Sequence, residues 1–456
     1  MFSRAAGAPL VEGNAVRVLC DAAENYPAWE EAIAEARSTI HIEMYFFRRD
    51  RTGRRFVDLL ARKAREGVTV RLSYDWFGGG LGPLRGLFGP LIRAGGDVRR
   101  FNPPSFHAVL GWVRRDHRKL IIVDGRVAFV SGLCIGVEWE GTPEKGLQPW
   151  RDTGVEIMGP AVAHAEHAFA ESWRMVGGQI EQVSIPDAET ATRAGDVALR
   201  LIPTEPFTAN LLRMDMLVCA LARRTLWITD AYFIGTGPYL EALRRAAGDG
   251  VDVRLLLPRD SDVGWTVPVS RSLYRPLLEA GVRIFEWDGT MVHAKTAVAD
   301  GRWSRIGSTN LNLNSWMGNW ELDVAIEDTA IARTMEEHYL EDLERATEVE
   351  LHPGRKRTPG NGSRRPRLDR RGSARRMART VTGVGRSLGA VVTGNRSLET
   401  FEATPVFAVG GALAVIAVIA LIQPVVLAWP IGLLALWAGA SLLVEGWSIW
   451  RRRPPS

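Results

Sequence analysis

This 456-residue chain predicts an α/β fold of two duplicated halves, followed by a transmembrane helical hairpin. Three observations lead there. HRKLIIVDG at residues 117–125 is echoed by HAKTAVADG at residues 293–301. Around each copy, strand-like apolar runs alternate with helix-like segments in the same order, the pattern of an α/β sheet. Residues 403–444 contain no charged side chain, and one membrane-spanning helix needs only about 20 apolar residues.

The doubled motif is not a composition effect. With eight histidines and five lysines (Lys63, Lys119, Lys145, Lys295 and Lys356), roughly 0.1 His-x-Lys triplets arise by chance. Both triplets are followed at the same distance by Asp-Gly. Arginine supplies 52 of the 57 basic residues, so lysine at two matched places suggests that a compact ammonium is wanted there. A guanidinium fork is not equivalent.

The elements follow in order. TIHIEMYFF (39–47) and TLWITDAYFI (225–234) read as buried strands. Helices are predicted next, over 54–67 and 239–250, each closed by a glycine, Gly67 or Gly250, as a C-cap requires. VTVRLSYD (68–75) and VDVRLLLP (251–258) read as strands again. A second helix and turn precede each His-x-Lys strand. Each half closes with a strand, TGVEIMG or LDVAIED, and a helix, 161–175 or 329–346. The repeats therefore span 12–185 and 196–350, joined by a polar stretch at 186–196. Residues 355–400 are rich in Arg, Gly and Ser and are expected to be a disordered basic linker. The hairpin lies within 405–450, with spans at about 406–422 and 431–449. Arginines flank both outer ends, which places both ends in the cytoplasm. The opening MFSRAAGAPLVEGNAV has no continuous apolar run of the signal-peptide kind.

Charge is unevenly spread. The net +5 conceals +12 over residues 355–396, zero over 397–456 and −7 over 1–354. A mildly acidic body argues against a protein that coats nucleic acid. Cys20, Cys134 and Cys219 are odd in number and far apart, and read as buried thiols in a reducing compartment. His41 reads as a core residue and His107 as a loop residue near the first motif. His164 and His167, three apart on a helix, read as a solvated face. The glycine-rich stretch 77–89 lacks the ending of a phosphate-binding P-loop and reads as a lip beside the site.

Folding the two halves against each other would gather His117, Lys119, His293 and Lys295 around one point. Two lysines supply positive charge for the non-bridging oxygens of a phosphate. Two histidines divide nucleophile and general-acid roles near neutral pH. Such a site requires neither metal nor cofactor. Ser308 and Asn310, in IGSTNLN, alternate on a turn where both could donate to the same phosphate. Asp152 and Glu321 each precede an apolar strand at the same distance, where a carboxylate could fix a histidine tautomer.

These residues carry a resemblance. HRKLIIVDG, and HAKTAVADG with GSTN, match the HxKxxxxD(x)6GSxN signature of the phospholipase D superfamily. IHIEMYFF, WRDTGVEIMGPAV and NWELDVAIED look most like its bacterial cardiolipin synthases. The resemblance covers about residues 12–350 and implies two phospholipase D-like halves with one active site at their interface. It also implies a phosphohistidine intermediate; the hairpin, with both ends cytoplasmic, would place the catalytic body on the cytoplasmic side of the inner membrane. By position, His117, Lys119, His293, Lys295, Ser308 and Asn310 would form the phosphate site. Asp152 and Glu321 would orient the histidines, while Asp124 and Asp300 look structural, at strand-to-turn junctions. The implied reaction joins two phosphatidylglycerol molecules into cardiolipin plus glycerol, with an anionic phospholipid as partner and no nucleic acid. Phospholipase D hydrolysis to phosphatidic acid and nuclease-type phosphodiester cleavage are the alternatives. One position departs from the signature: where the first half should carry asparagine it has Cys134.

Overall fold

The computed structural model describes residues 1–78, 85–103, 114–180 and 191–351, with the isolated positions 188 and 437. His107, the basic segment 355–400, nearly all of the predicted hairpin at 405–450 and much of the 77–89 stretch lie outside the described residues. Among the described residues, no helix is long and apolar enough to cross a membrane.

The strands are β1 (Val11–Cys20), β2 (Thr39–Met44), β3 (Thr69–Asp75), β4 (Asp97–Phe101), β5 (Lys119–Val123), β6 (Val127–Ser131) and β7 (Thr153–Met158) in the first half. The second half holds β8 (Val197–Thr204), β9 (Thr225–Thr229), β10 (Asp252–Pro258), β11 (Arg283–Trp287), β12 (Thr296–Ala299), β13 (Trp303–Gly307), β14 (Glu321–Glu327) and β15 (Ala346–Glu348). They form one continuous sheet, in the order β15-β11-β10-β9-β12-β13-β14-β8-β1-β7-β6-β5-β2-β3-β4. Apart from β15, the order reads the same outward from its centre, where β1 meets β8. The sheet is therefore a duplicated α/β unit joined along one antiparallel seam.

Both faces of the sheet are covered, which explains the nearly unbroken apolar runs. Along β5, Ile121 and Val123 point into a core shared with the helices Asp21–Glu35 and Arg51–Arg65. The alternate residues, Leu120 and Ile122, point into a second core, as the two-residue period of a strand dictates. This second core contains residues of both halves, including Val155, Leu199 and Val324. The helices Ala161–Met175 and Thr329–Leu343 pack over it. A third core serves the second half and takes in Ala6 and Ala8 from the N-terminal segment.

The Asp-Gly pairs of the doubled motif are the turns of two hairpins. Asp124 and Gly125 have φ of 53° and 60°, and Asp300 and Gly301 have 55° and 64°. Two consecutive positive φ values are the I′ geometry that Asp-Gly favours between antiparallel strands. Each aspartate also grips the chain entering a neighbouring strand. Asp124 accepts hydrogen bonds from the backbone N–H of Arg37, Ser38 and Thr39, and Asp300 from Arg223, Arg224 and Thr225. Both therefore stand at the end of β5 or β12 away from the histidines.

The second strand of each half is shorter than its apolar run. β2 stops at Met44 and β9 at Thr229, and the aromatic residues that follow turn toward the histidines. The final helix ends at Leu343 rather than at residue 346, because Ala346–Glu348 adds β15 to the edge of β11.

Candidate active site

His117 and Lys119 sit two residues apart at the entry to β5, and His293 and Lys295 stand likewise before β12, so each pair shares a face. The entries are held by main-chain pairing between halves. His117 N–H donates to Trp320 O at 2.8 Å, and Trp320 N–H donates to Arg115 O at 2.8 Å. On the other side His293 N–H donates to Arg151 O at 2.7 Å, and Arg151 N–H to Met291 O at 2.8 Å. Each histidine is thus tied to the residue just before the opposite half's carboxylate.

The side chains cross in the same way. His117 Nδ1 lies 2.8 Å from Glu321 Oε2, and His293 Nδ1 lies 2.8 Å from Asp152 Oδ2. Each carboxylate belongs to one half and holds the histidine of the other. Such a bond fixes the proton on Nδ1 and leaves Nε2 to act. Both carboxylates are fully buried. Burial alone would raise them, but the histidine each one faces, together with a nearby lysine and hydrogen-bond donors, holds both below the ordinary carboxylate range.

The two carboxylates are supported differently. Glu321 Oε2 also accepts from the Ser308 hydroxyl at 2.7 Å, and Oε1 from the Asn319 amide at 3.1 Å. Asp152 Oδ2 accepts from the Trp139 indole at 2.9 Å. Gly132 occupies the position matching Ser308. A Cβ there would come within 2.1 Å of Asp152 Oδ1, so the shorter acid and the missing side chain go together. The Ser308 spacing suggested a donor to phosphate. In the structure its hydroxyl donates to Glu321 and its oxygen accepts from Leu322 N–H, so Ser308 supports the carboxylate.

Both lysines are buried, Lys119 at 1% exposure and Lys295 at 0%. Lys119 Nζ donates to His117 O at 2.5 Å, and Lys295 Nζ donates to His293 O. Burial pushes Lys295 down to about 8, with Lys119 adding like-charge repulsion. Burial and the fields of both lysines also push both histidines below their ordinary value, His293 the further. Each histidine feels both lysines, so the four groups form one electrostatic unit. Aromatic rings close in around it. Tyr45 packs edge-on to His117 with centroids 4.8 Å apart, and Tyr232 packs on His293 at 5.8 Å. Trp139 and Trp150 flank His293. Asn310 is buried, and among the described residues its Oδ1 has no hydrogen-bond partner. Cys134, its counterpart, is fully buried, and its Sγ accepts from Phe46 N–H at 3.4 Å. Among the described residues, no group of three or more His, Cys, Asp or Glu is placed to hold a metal ion.

A family model described as "Cardiolipin synthase, PLD-like domain" matches residues 30–135 and 219–343, one segment in each half. The chain belongs to the cardiolipin synthase, phospholipase D-like family. It is a phosphatidyltransferase of that type. The cardiolipin synthase of Clostridium perfringens is 31% identical over 356 residues, covering 76% of this chain and 74% of that protein. Cardiolipin synthase A of Pseudomonas fluorescens is 34% identical over 355 residues, covering 76% and 72%. Among solved structures, the phosphatidylserine synthase of Haemophilus influenzae superposes with a TM-score of 0.59 at 14% identity. That match covers 76% of this chain and 92% of the other, and the likeness is one of fold.

Proposed function

We propose that this cardiolipin synthase-type enzyme joins two phosphatidylglycerol molecules into cardiolipin and glycerol through a phosphohistidine. The observation that carries the reading is the crossed pair of carboxylate–histidine bonds around two buried lysines. His117 Nε2 attacks the phosphorus of the first lipid. The P–O bond to glycerol breaks, and His293 delivers the proton to the leaving alkoxide. The second phosphatidylglycerol then supplies a hydroxyl. His293 takes its proton, the new P–O bond forms, and His117 is released. Lys119, Lys295 and the Asn310 amide stabilise the charge on the non-bridging oxygens. Asp152 and Glu321 orient the two histidines, and Asp124 and Asp300 set the hairpins that present them.

The charge balance of the site fits this order. Burial and the lysines keep His117 neutral, as a nucleophile must be. They also keep His293 neutral. The acid therefore gains its proton when the phosphodiester anion arrives and offsets the lysines.

A lipid substrate is supported by the surface. Among the described residues, the exposed aromatic side chains are Phe77, Phe207 and Trp265, and each follows a strand end on the histidine side of the sheet. Phe77 comes two residues after β3 and Phe207 three after β8. Trp265 lies three residues beyond Asp262, which accepts from the Tyr232 hydroxyl. Apolar tips around the mouth suit a substrate with acyl chains. The apolar segment at 405–450 would anchor the body as a hairpin with both ends cytoplasmic. The basic segment 355–400 would lie on anionic headgroups, at about 1 kcal/mol per basic residue near the surface. Hydrolysis to phosphatidic acid is the competing outcome, set by how well the site excludes water.

The test uses purified full-length protein with labelled phosphatidylglycerol in mixed micelles. Cardiolipin and glycerol in equal amounts are expected, with label on histidine after an acid-free quench. Phosphatidic acid as the main product would replace transfer with hydrolysis. Cleavage of single-stranded DNA in place of lipid would sink the reading altogether.

A further inference from the structure

The two halves of the site do not offer the same hydrogen-bond donors. In the second half Asn310 stands in the phosphate-binding turn, and the hydroxyl of the neighbouring tyrosine is occupied, since Tyr232 donates to Asp262 Oδ1 at 2.7 Å. In the first half the amide is missing. Cys134 takes its place, and its sulfur already accepts from Phe46 N–H. A thiol is a weak donor, so this position cannot replace a carboxamide.

Tyr45, one residue beyond β2, is the tyrosine packed on the first half's histidine. Its ring lies edge-on to His117 at 4.8 Å, with Lys119 Nζ 5.1 Å from the ring centre. The fields of Asp75, Arg115, Cys134 and Glu321 all reach its hydroxyl, and burial keeps that hydroxyl protonated. Among the described residues the Tyr45 hydroxyl makes no hydrogen bond, in contrast to Tyr232. The half that lost its amide donor thus has a free phenol beside its histidine and lysine. The half that kept the amide has its phenol tied to a surface acid.

We infer that Tyr45 donates its phenolic hydrogen bond to the substrate phosphate in the first half, in the role Asn310 plays in the second. This rests on the phosphate-transfer reading of the site. It makes Tyr45 a catalytic residue and Cys134 the reason one is needed there. No proton changes hands: the phenol gives a hydrogen bond to a non-bridging oxygen and keeps its proton throughout.

Four variants of the full-length protein decide the matter. Tyr45→Phe is expected to lose roughly 10²-fold in kcat, the usual effect of removing one preorganised donor. Cys134→Asn restores an amide to the first half, so Tyr45→Phe made in that background should lose less than a fifth as much. The matching Tyr232→Phe change removes a hydroxyl already bonded to Asp262 and should lose less than Tyr45→Phe. Tungstate, a phosphate mimic, gives a reading that needs no turnover: by calorimetry its Kd should rise about tenfold in Tyr45→Phe. A folded Tyr45→Phe protein with kcat within threefold of wild type and unchanged tungstate affinity would overturn the inference. So would a loss of the same size with and without the Cys134→Asn change. A wild type that binds tungstate but makes no cardiolipin would count against the lipid reading alone, and the tungstate affinities would still decide the role of Tyr45.

Discussion

Lys295 should weaken the fold it serves. Its ammonium is completely buried, and burial lowers it from 10.5 to about 8. At pH 7 the group is protonated in both the folded and the unfolded chain. The difference between 10.5 and 8 is then a cost of about 3 kcal/mol for keeping the charge inside. Replacing it with methionine, of similar length and no charge, removes that cost. The change also removes the hydrogen bond to His293 O, which takes back about 1 kcal/mol. The net expectation for Lys295→Met is a gain of about 2 kcal/mol. For some 350 folded residues, unfolding entropy of roughly 2.1 cal/mol/K per residue converts this to a Tm about 3 °C higher. The gain has a definite pH course. Between pH 8 and 10.5 the unfolded chain holds a proton that the folded one has released, so wild-type stability rises with pH and the gap to the variant closes. Thermal melts from pH 7 to pH 10 in one detergent check both points. The variant should be inactive as well as more stable, the exchange expected of a site that stores a buried charge for catalysis. A variant that melts at or below wild type at pH 7, or a gap that does not narrow by pH 10, would refute this.

Other outcomes follow from the same geometry. His117→Ala and His293→Ala should each abolish turnover, and His293→Ala should still accumulate some phosphohistidine with an activated leaving group, whereas His117→Ala should form none. Asp152→Asn and Glu321→Gln should each cost roughly 10²–10⁴-fold in kcat, and imidazole NMR should show the disturbed tautomer on the histidine of the opposite half. In the free enzyme kcat/KM should fall as pH rises across neutrality, because His293 is held neutral by burial and the lysines and must take up a proton to act as the acid, and fall more steeply above about pH 8 as Lys295 loses its own; a Lys295→Arg protein with residual activity should lose only the second, steeper fall. A chain ending at Leu351 should fold, act on phosphatidylglycerol in micelles and act poorly on vesicles, since it loses the concentrating effect of the membrane segment.

Much of this could be read from the residues. The His-x-Lys pairs, the Asp-Gly turns and the strand–helix alternation are local signals, because a two-residue hairpin turn or a buried strand is specified by the residues within it. The crossing of the carboxylates was not legible. Asp152 and Glu321 could be picked out by their matched positions, but which histidine each serves depends on the pairing of Arg151 with Val292 and of Asp116 with Trp320. The two bridges span 141 and 204 positions of chain. The bond from Ser308 to Glu321 was not legible for a related reason: its spacing from Asn310 suggested a common target, whereas this acceptor comes from β14. Charges deep in the body were not anticipated either. Arg118 reaches the carbonyls of Glu321 and Ala168, and Arg305 pairs with Asp215. In sequence both look like ordinary residues of an arginine-rich chain.

The reciprocal hold of each half on the other's histidine limits how this protein can be repaired by mixing. Two inactive chains, one damaged at His117 and one at His293, each retain one intact histidine and both acids. Each holds only one of the two crossed pairs, and simple association of the two molecules leaves each site one histidine short. Activity would return only if the chains exchanged halves, placing a sound first half beside a sound second half. A single chain damaged at both His117 and Glu321 has lost no more than one crossed pair, but both of its halves carry damage, so it can lend no sound half to a partner. Damage in this enzyme is therefore grouped by crossed pairs and not by the order of residues along the chain.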